Sequence, residues 1–181
     1  MPKSSRHTLV ALVVTFGILL VLGLLVTTRQ ANLPQTTPYP FTRVFETIAE
    51  SEIAAVRISD LLTNEQLTIT RAENGRWITA AGVDVHDAGT LIARTFALLP
   101  YDGIIAPEDQ EDPSLYGFTP YGTLEMQALL FNGEAHIAVV GYLAPGERAY
   151  YAKIDDEDSV YILLRPAVDY MLQQLRTVAP S

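Results

Sequence analysis

Asp84-Val85-His86-Asp87 sets two carboxylates and an imidazole side by side, the donor types that ligate zinc or activate a water for hydrolysis. A working metal site needs three or four converging ligands held by further hydrogen bonds. Asp87 is placed to cap a helix and His86 stands at a loop–helix junction, so capping is the simpler use of this segment. Asp155-Asp156-Glu157-Asp158 has the charge to attract calcium, but it lacks the glycine and distal glutamate of an EF-hand loop. It reads as a solvated hairpin tip, and Glu108-Asp109-Gln110-Glu111-Asp112 as a solvated loop. His136 is the one histidine on an expected strand, facing solvent or a covering element beside Glu125 and Gln127. General-base work there would need a nucleophile or substrate within hydrogen-bond reach, and the sequence supplies none.

Nine tyrosines are a high count for this length. Tyr142, Tyr150, Tyr151 and Tyr161 fall close together near the C-terminus. Exposed tyrosines would make a recognition surface for protein, peptide or glycan. Tyrosine is also a good strand residue, so cross-strand packing accounts for the same pattern. GxSxG, Walker, GxGxxG and HExxH signatures are missing. No catalytic residue, cofactor or metal is therefore assigned, and no enzymatic activity is expected.

The elements that would position these residues are legible from period and turn chemistry. Ile53 to Ile58 reads as a strand. Asn74-Gly75 marks a hairpin whose simplest register puts Leu67, Ile69 and Ile78 on one face and Trp77 on the other. Either both faces are covered there or a bulge shifts the register. Asn132-Gly133 marks a second hairpin. A two-residue type I′ turn would pair Leu130 with Ala135, Ala128 with Ile137 and Met126 with Val139, all on one face. Tyr150–Ile154 and Val160–Leu164 flank the acidic turn as a third hairpin, its second strand apolar on both faces and so central. One helix starts at Asp87, buries Ala88, Leu91, Ile92, Thr95, Phe96 and Leu99, and ends at Pro100. Another begins with Pro166 in its first turn and Asp169 near its positive end. It buries Val168, Leu172 and Leu175, with Arg176 near its negative end. Hairpin-linked strands around such helices predict an α+β fold with a mostly antiparallel sheet and about two packing helices.

Ahead of this domain, Thr8 to Thr28 is a run of 21 residues without a charge. At about 1.5 Å per residue it spans roughly 30 Å, the hydrocarbon thickness of a bilayer. It is longer than a signal peptide's apolar region, and Thr27-Thr28-Arg29-Gln30-Ala31 is a poor cleavage site. Residues 8–28 are thus expected to be a single transmembrane helix that contacts lipid. Lys3 and Arg6 precede it, so 1–7 should be cytoplasmic and the remainder extracytoplasmic, at the inner (cytoplasmic) membrane. Gly17 and Gly23 lack the GxxxG spacing of a helix-pairing face. Residues 29–42, with Pro34, Pro38 and Pro40, read as an extended linker, and 43–181 as the folded domain, with helical character around Arg43 to Ser51.

Of 12 Lys+Arg, three flank the apolar run, whereas all 21 Asp+Glu lie from Glu46 onward. Nine basic against 21 acidic residues leave the domain at −12. Such a surface repels phosphate backbones and anionic headgroups, so nucleic acid is not an expected partner. The chain has no cysteine, which excludes disulfides, thiol catalysis and Cys-type metal sites.

Several short motifs occur in a fixed order. Asn74-Gly75-Arg76-Trp77-Ile78 follows a strand, and a helix follows it. Leu115-Tyr116-Gly117-Phe118-Thr119-Pro120 comes next, then the Asn132-Gly133 hairpin, Val140-Gly141, Tyr150-Tyr151-Ala152 and Val160-Tyr161. Together they resemble the bacterial domain-of-unknown-function family numbered 4340. That family shows a glycine–tryptophan hairpin, a Tyr-Gly-Leu-x-x-Pro segment (one residue longer before its proline than Tyr116 to Pro120 here), an Ile-Gly turn and a late tyrosine strand pair. Phe118 stands where leucine is usual, and no proline precedes the helix after Trp77. The resemblance covers Ile53 to Leu175 and implies a membrane-tethered envelope protein. Some relatives are similar to auxiliary parts of ABC-transporter-linked gliding or export machinery. The family brings no catalytic residues. Gly75, Trp77, Tyr116, Gly117, Pro120 and Gly141 are read as structural: glycines for turns, aromatics as core anchors. The functional expectation is a non-enzymatic accessory domain of the cell envelope that binds another membrane or envelope protein. The alternatives are a glycan- or peptide-binding sensor using the tyrosine-rich sheet, and a hydrolase using His86, His136 and nearby carboxylates.

Overall fold

The structure is a computed structural model that describes residues 41–118 and 122–178. The expected membrane helix over 8–28, the linker up to residue 40 and Pro120 lie outside the described residues. Among the described residues, no helix is long and apolar enough to cross a membrane.

The fold is α+β. Among the described residues, nine strands form one antiparallel sheet: β1 (Thr42–Arg43), β2 (Ile53–Asp60), β3 (Gln66–Arg71), β4 (Trp77–Thr79), β5 (Pro100–Ile105), β6 (Leu124–Leu130), β7 (Ala135–Leu143), β8 (Ala149–Ile154) and β9 (Val160–Leu164). Their spatial order is β1-β5-β9-β8-β7-β6-β2-β3-β4. Helices α1 (His86–Ala97) and α2 (Arg165–Val178) pack on each other and on one face of the sheet. The core lies between them. It holds Val56, Ile58, Ile69, Trp77, Met126, Ala138 and Leu163 from the strands, and Ile92, Phe96, Val168 and Met171 from the helices.

Both Asn-Gly hairpins form, but with three-residue loops. Gly75 donates to the Ala72 carbonyl and Ala72 to the Arg76 carbonyl; Gly133 donates to Leu130 and Leu130 to Glu134. Only the glycines adopt positive φ, 79° at Gly75 and 90° at Gly133. A type I′ turn would require it of the asparagines as well. Each asparagine Oδ1 instead accepts from the residue after the glycine, Arg76 N at 3.0 Å and Glu134 N at 2.9 Å. This is a type I turn closed by a left-handed glycine. The extra loop residue shifts each register by one.

The consequences differ between the two hairpins. At the first, Trp77 pairs with Arg71 and joins Ile69 and Leu67 on the helix side, fully buried. At the second, Leu129 pairs with Ala135, Ala128 with His136, and Gln127 with Ile137. The expected pairing of Leu130 with Ala135 is therefore corrected, and strand pleating turns every β7 side chain to the other face. His136 is on the helix side, its ring 5.3 Å from Phe45. Ile137 and Val139 are on the opposite side, across from Gln127 and Glu125.

Four further expectations change. Arg43 to Ser51 is not a helix: Thr42–Arg43 is a strand pairing with β5, and only Glu50–Glu52 makes a 3-10 turn. The sheet thus begins inside the expected linker. Phe45 holds the irregular stretch down by stacking on Phe96 at 4.9 Å. Strand β5 was not anticipated; Pro100 ends the helix and also opens the strand, a position where its missing N–H is tolerated. Helix α1 buries Gly89, Ile92, Ala93, Phe96 and Ala97 and leaves Leu91 exposed. It is rotated because Gly89 sits directly on Trp77, where any Cβ would overlap the indole. Asp87 does not cap this helix. The N-cap is Val85, without a side-chain cap, and Asp84 just before it accepts from His86 N at 3.0 Å while pairing with the Arg76 guanidinium. That guanidinium and the His86 N–H hold the Asp84 carboxyl below the usual carboxylate range.

In α2, Val168, Met171 and Leu175 are buried and Leu172 is half-buried. The third hairpin matches its expected strands closely, and β9 is an interior strand.

Candidate functional site: the second face of the sheet

The face away from the helices is covered over only part of its width. Residues 107–118 and 122–123 lie against β8 and the second half of β7 as a strap, with Gln110 reaching the Asp158 carbonyl ahead of β9. Its centre is a 3-10 turn over Pro113–Tyr116, started by Asp112, which accepts from Ser114 N at 2.9 Å. That bond is also the main reason the Asp112 carboxyl titrates low. Tyr116 is buried, meets Tyr151 edge-on at 4.9 Å, and accepts a hydrogen bond from Glu111 N at 3.0 Å through its hydroxyl. Phe118 lies beside it, with the Lys153 ammonium 5.9 Å from its ring centre.

Three glycines let the strap lie close against β7. A Cβ on Gly141 would overlap the Tyr116 carbonyl oxygen. One on Gly117, where φ is +81°, would sit 2.5 Å from the Tyr142 ring, and one on Gly122 2.9 Å from the Val140 carbonyl oxygen. Thr123 closes the far end, donating through Oγ1 to the Val140 and Gly141 carbonyls at 3.1 and 3.0 Å. The motif residues Tyr116, Gly117 and Gly141 thus form one interlock, while Trp77 belongs to the helix-side core and Gly75 to the exposed turn before it.

The four candidate tyrosines do not share a surface. Tyr150 is on the helix side and donates to Asp169 Oδ1 at 2.9 Å, while Arg165 holds the other Asp169 oxygen at 2.9 Å. Burial, then the Asp169 contact, raise its phenol above the ordinary tyrosine range. Tyr161 is buried on the same side, its hydroxyl 2.7 Å from Glu157 Oε2 and its ring edge-on to Tyr101. Burial raises its phenol too. Tyr151 is beneath the strap, and Tyr142, 53 % exposed, lies against Gly117. A groove of about 480 Å³ opens beside Tyr150, lined by Asp169, Leu172, Gln173, Arg176 and Thr177.

The histidines are also separated in role. His86 begins α1, its Nδ1 buried without a hydrogen-bond partner. His136 Nδ1 is 2.9 Å from Asp155 Oδ2, while Asp155 Oδ1 accepts from Ile137 N at 2.6 Å. The acidic turn is therefore partly a structural tie, which holds Asp155 at a φ of 48°. No group of three or more His, Asp or Glu placed to hold a metal occurs among the described residues.

Beyond the strap, the second face has no cover among the described residues. It presents Ala55 and Arg57 of β2, Thr68 and Thr70 of β3, Gln127 and Leu129 of β6, and Ile137 of β7. Leu129 is 43 % exposed, and Ile137 is only half-buried. Arg57 reaches Glu125 across the strands at 3.0 Å. Sequence patterning missed this surface because the expected register put Ile137 and Val139 in the core. The chain matches no family model, no curated protein and no solved structure.

Proposed function

We propose that this chain is a membrane-tethered, extracytoplasmic interaction domain of the cell envelope, an accessory subunit without catalytic chemistry that serves a transporter-type complex. The observation that carries the reading is β7. It is apolar on both faces, Ala138 and Val140 toward the helices and Ile137 and Val139 away from them. A strand of that kind belongs in a sheet covered on both sides, yet the strap stops short of Ile137. A broad, flat, weakly charged surface is what a protein partner would cover. The uncharged run at residues 8–28 supports the tether, and the acidic remainder is consistent with a domain that approaches lipid only through its anchor. The order of short motifs, which resembles that of family 4340, is the sequence feature behind the envelope and transporter part of the reading.

The test is extraction of the full chain from native membranes in mild detergent, followed by identification of what stays bound. Retention of a stable membrane or envelope protein is expected. Recovery of only the free chain under several gentle conditions would overturn the interaction role. Recovery of the intact product in the aqueous fraction without detergent would remove the tether. The tyrosine-based sensor reading has no supporting surface, since Tyr150 and Tyr161 face the helices and Tyr151 is under the strap.

A further inference from the structure

We infer that the uncovered half of the second face is where a second copy of this chain docks, sheet against sheet. The inference rests on the interaction reading and names its partner. Its first support is charge. The domain carries 21 acidic residues, yet on this patch Glu125 is matched by Arg57, and at its β4 margin Asp84, bridged to Ile78, is matched by Arg76. Everywhere else, two domains at −12 repel each other. This face is the neutral window through which they can meet.

The second support is self-complementarity. A two-fold contact uses the same patch on both copies. Arg57 and Glu125 are adjacent unlike charges. An axis lying in the interface and passing between them sets each guanidinium over the partner's carboxylate. The side chains around that pair are short or β-branched: Ala55, Thr68, Ile137. They allow two sheets to approach to about 10 Å, the usual face-to-face spacing.

The third consideration is size. The patch spans β3, β2, β6 and β7, four strands at about 4.8 Å, and roughly five residues at about 3.3 Å along each strand. That footprint is on the order of 300 Å² in projection, and its accessible area is larger because the face is pleated. It is smaller than the roughly 800 Å² per partner of a standard interface, which makes the contact one of the weak class. A pair of this size gains from the shared membrane tether, which raises the effective concentration of one copy near another.

The experiment uses the full chain in its native membrane, with a photoreactive aromatic residue at Gln127 in the patch or, as reference, at Leu91 on the exposed side of α1. Irradiation should give an adduct of twice the chain mass at Gln127, about tenfold more than at Leu91, the scale set by one strong contact. Arg57→Glu should abolish it by opposing like charges across the axis, and Arg57→Glu with Glu125→Arg should restore it. An adduct at Gln127 with a different protein overturns the second-copy proposal and leaves the interaction reading standing. Equal yields at both positions, or no adduct at Gln127, overturn the proposal as well. In the latter case the co-purification experiment decides the broader reading separately.

Discussion

The two faces of this sheet are covered by different means. On the helix side, α1 and α2 bury large apolar side chains: Phe96 on Phe45, Met171 and Val168 on the strands, and the whole Trp77 indole beneath Gly89. On the other side, the strap brings two aromatic rings and otherwise makes close approaches at glycines: Gly117 to Tyr142, Gly122 to Val139 and Val140, and the Tyr116 carbonyl to Gly141. The first cover is stabilised by buried apolar area. The second depends on shape and a few hydrogen bonds. The helix side should therefore control global stability, and the strap should open locally at lower cost.

The largest effect that would sharpen this contrast is Trp77→Ala. Removing a fully buried indole should cost about 3–5 kcal/mol, read as a lower denaturation midpoint with all probes shifting together. Gly141→Ala comes next. The new methyl group meets a backbone carbonyl that cannot rotate away, so a loss of about 2–3 kcal/mol is expected. Hydrogen exchange should locate that loss first in residues 113–118 and 122–123. If β2 and β6 lost protection equally, the strap would not be a separate unit. Tyr116→Phe removes the hydroxyl that accepts from Glu111 N and should cost about 1 kcal/mol, confined to the strap. The smallest effect concerns acid. The Asp84 carboxyl titrates low in the folded state. Its contribution is therefore present above the ordinary carboxylate value of about 3.9 and is lost as pH falls below it. Asp84→Asn should flatten the fall of melting temperature between about pH 5 and pH 2. An unchanged acid limb would show that the Arg76 pair contributes nothing.

Much of the architecture could be read from residue order, and the failures share one cause. The Asn-Gly dipeptides marked both turns, but dipeptide identity does not fix loop length. A glycine alone in the left-handed region suits a three-residue loop as well as a pair suits a two-residue one. That single residue placed Trp77 in the core, which resolves its ambiguous register, and moved Ile137 out to the exposed face. Helix α1 had the right length but the wrong rotation, because the decisive contact was a missing side chain, Gly89, and periodicity counts only the side chains that are there. Strand β5 was hidden by Pro100, read as a stop although it also starts the next element. The tyrosines were legible as strand residues and illegible as a surface, since pleating and the Gly141 irregularity divide them between layers. The expected membrane helix concerns residues outside those described, so it remains a reading of the sequence.

The outer edge of β4 carries a further consequence. The chain returns along it: Thr79 donates to the Val83 carbonyl, Val85 donates to the Trp77 carbonyl, and Ile78 bridges Asp84. The terminal strand has thus spent its hydrogen-bonding groups on its own continuation. Another polypeptide cannot add a strand there, which removes one route to the lateral polymerisation that open margins invite. Any association on this side of the molecule must go through side chains, where a finite pair is available and an endless ribbon is not.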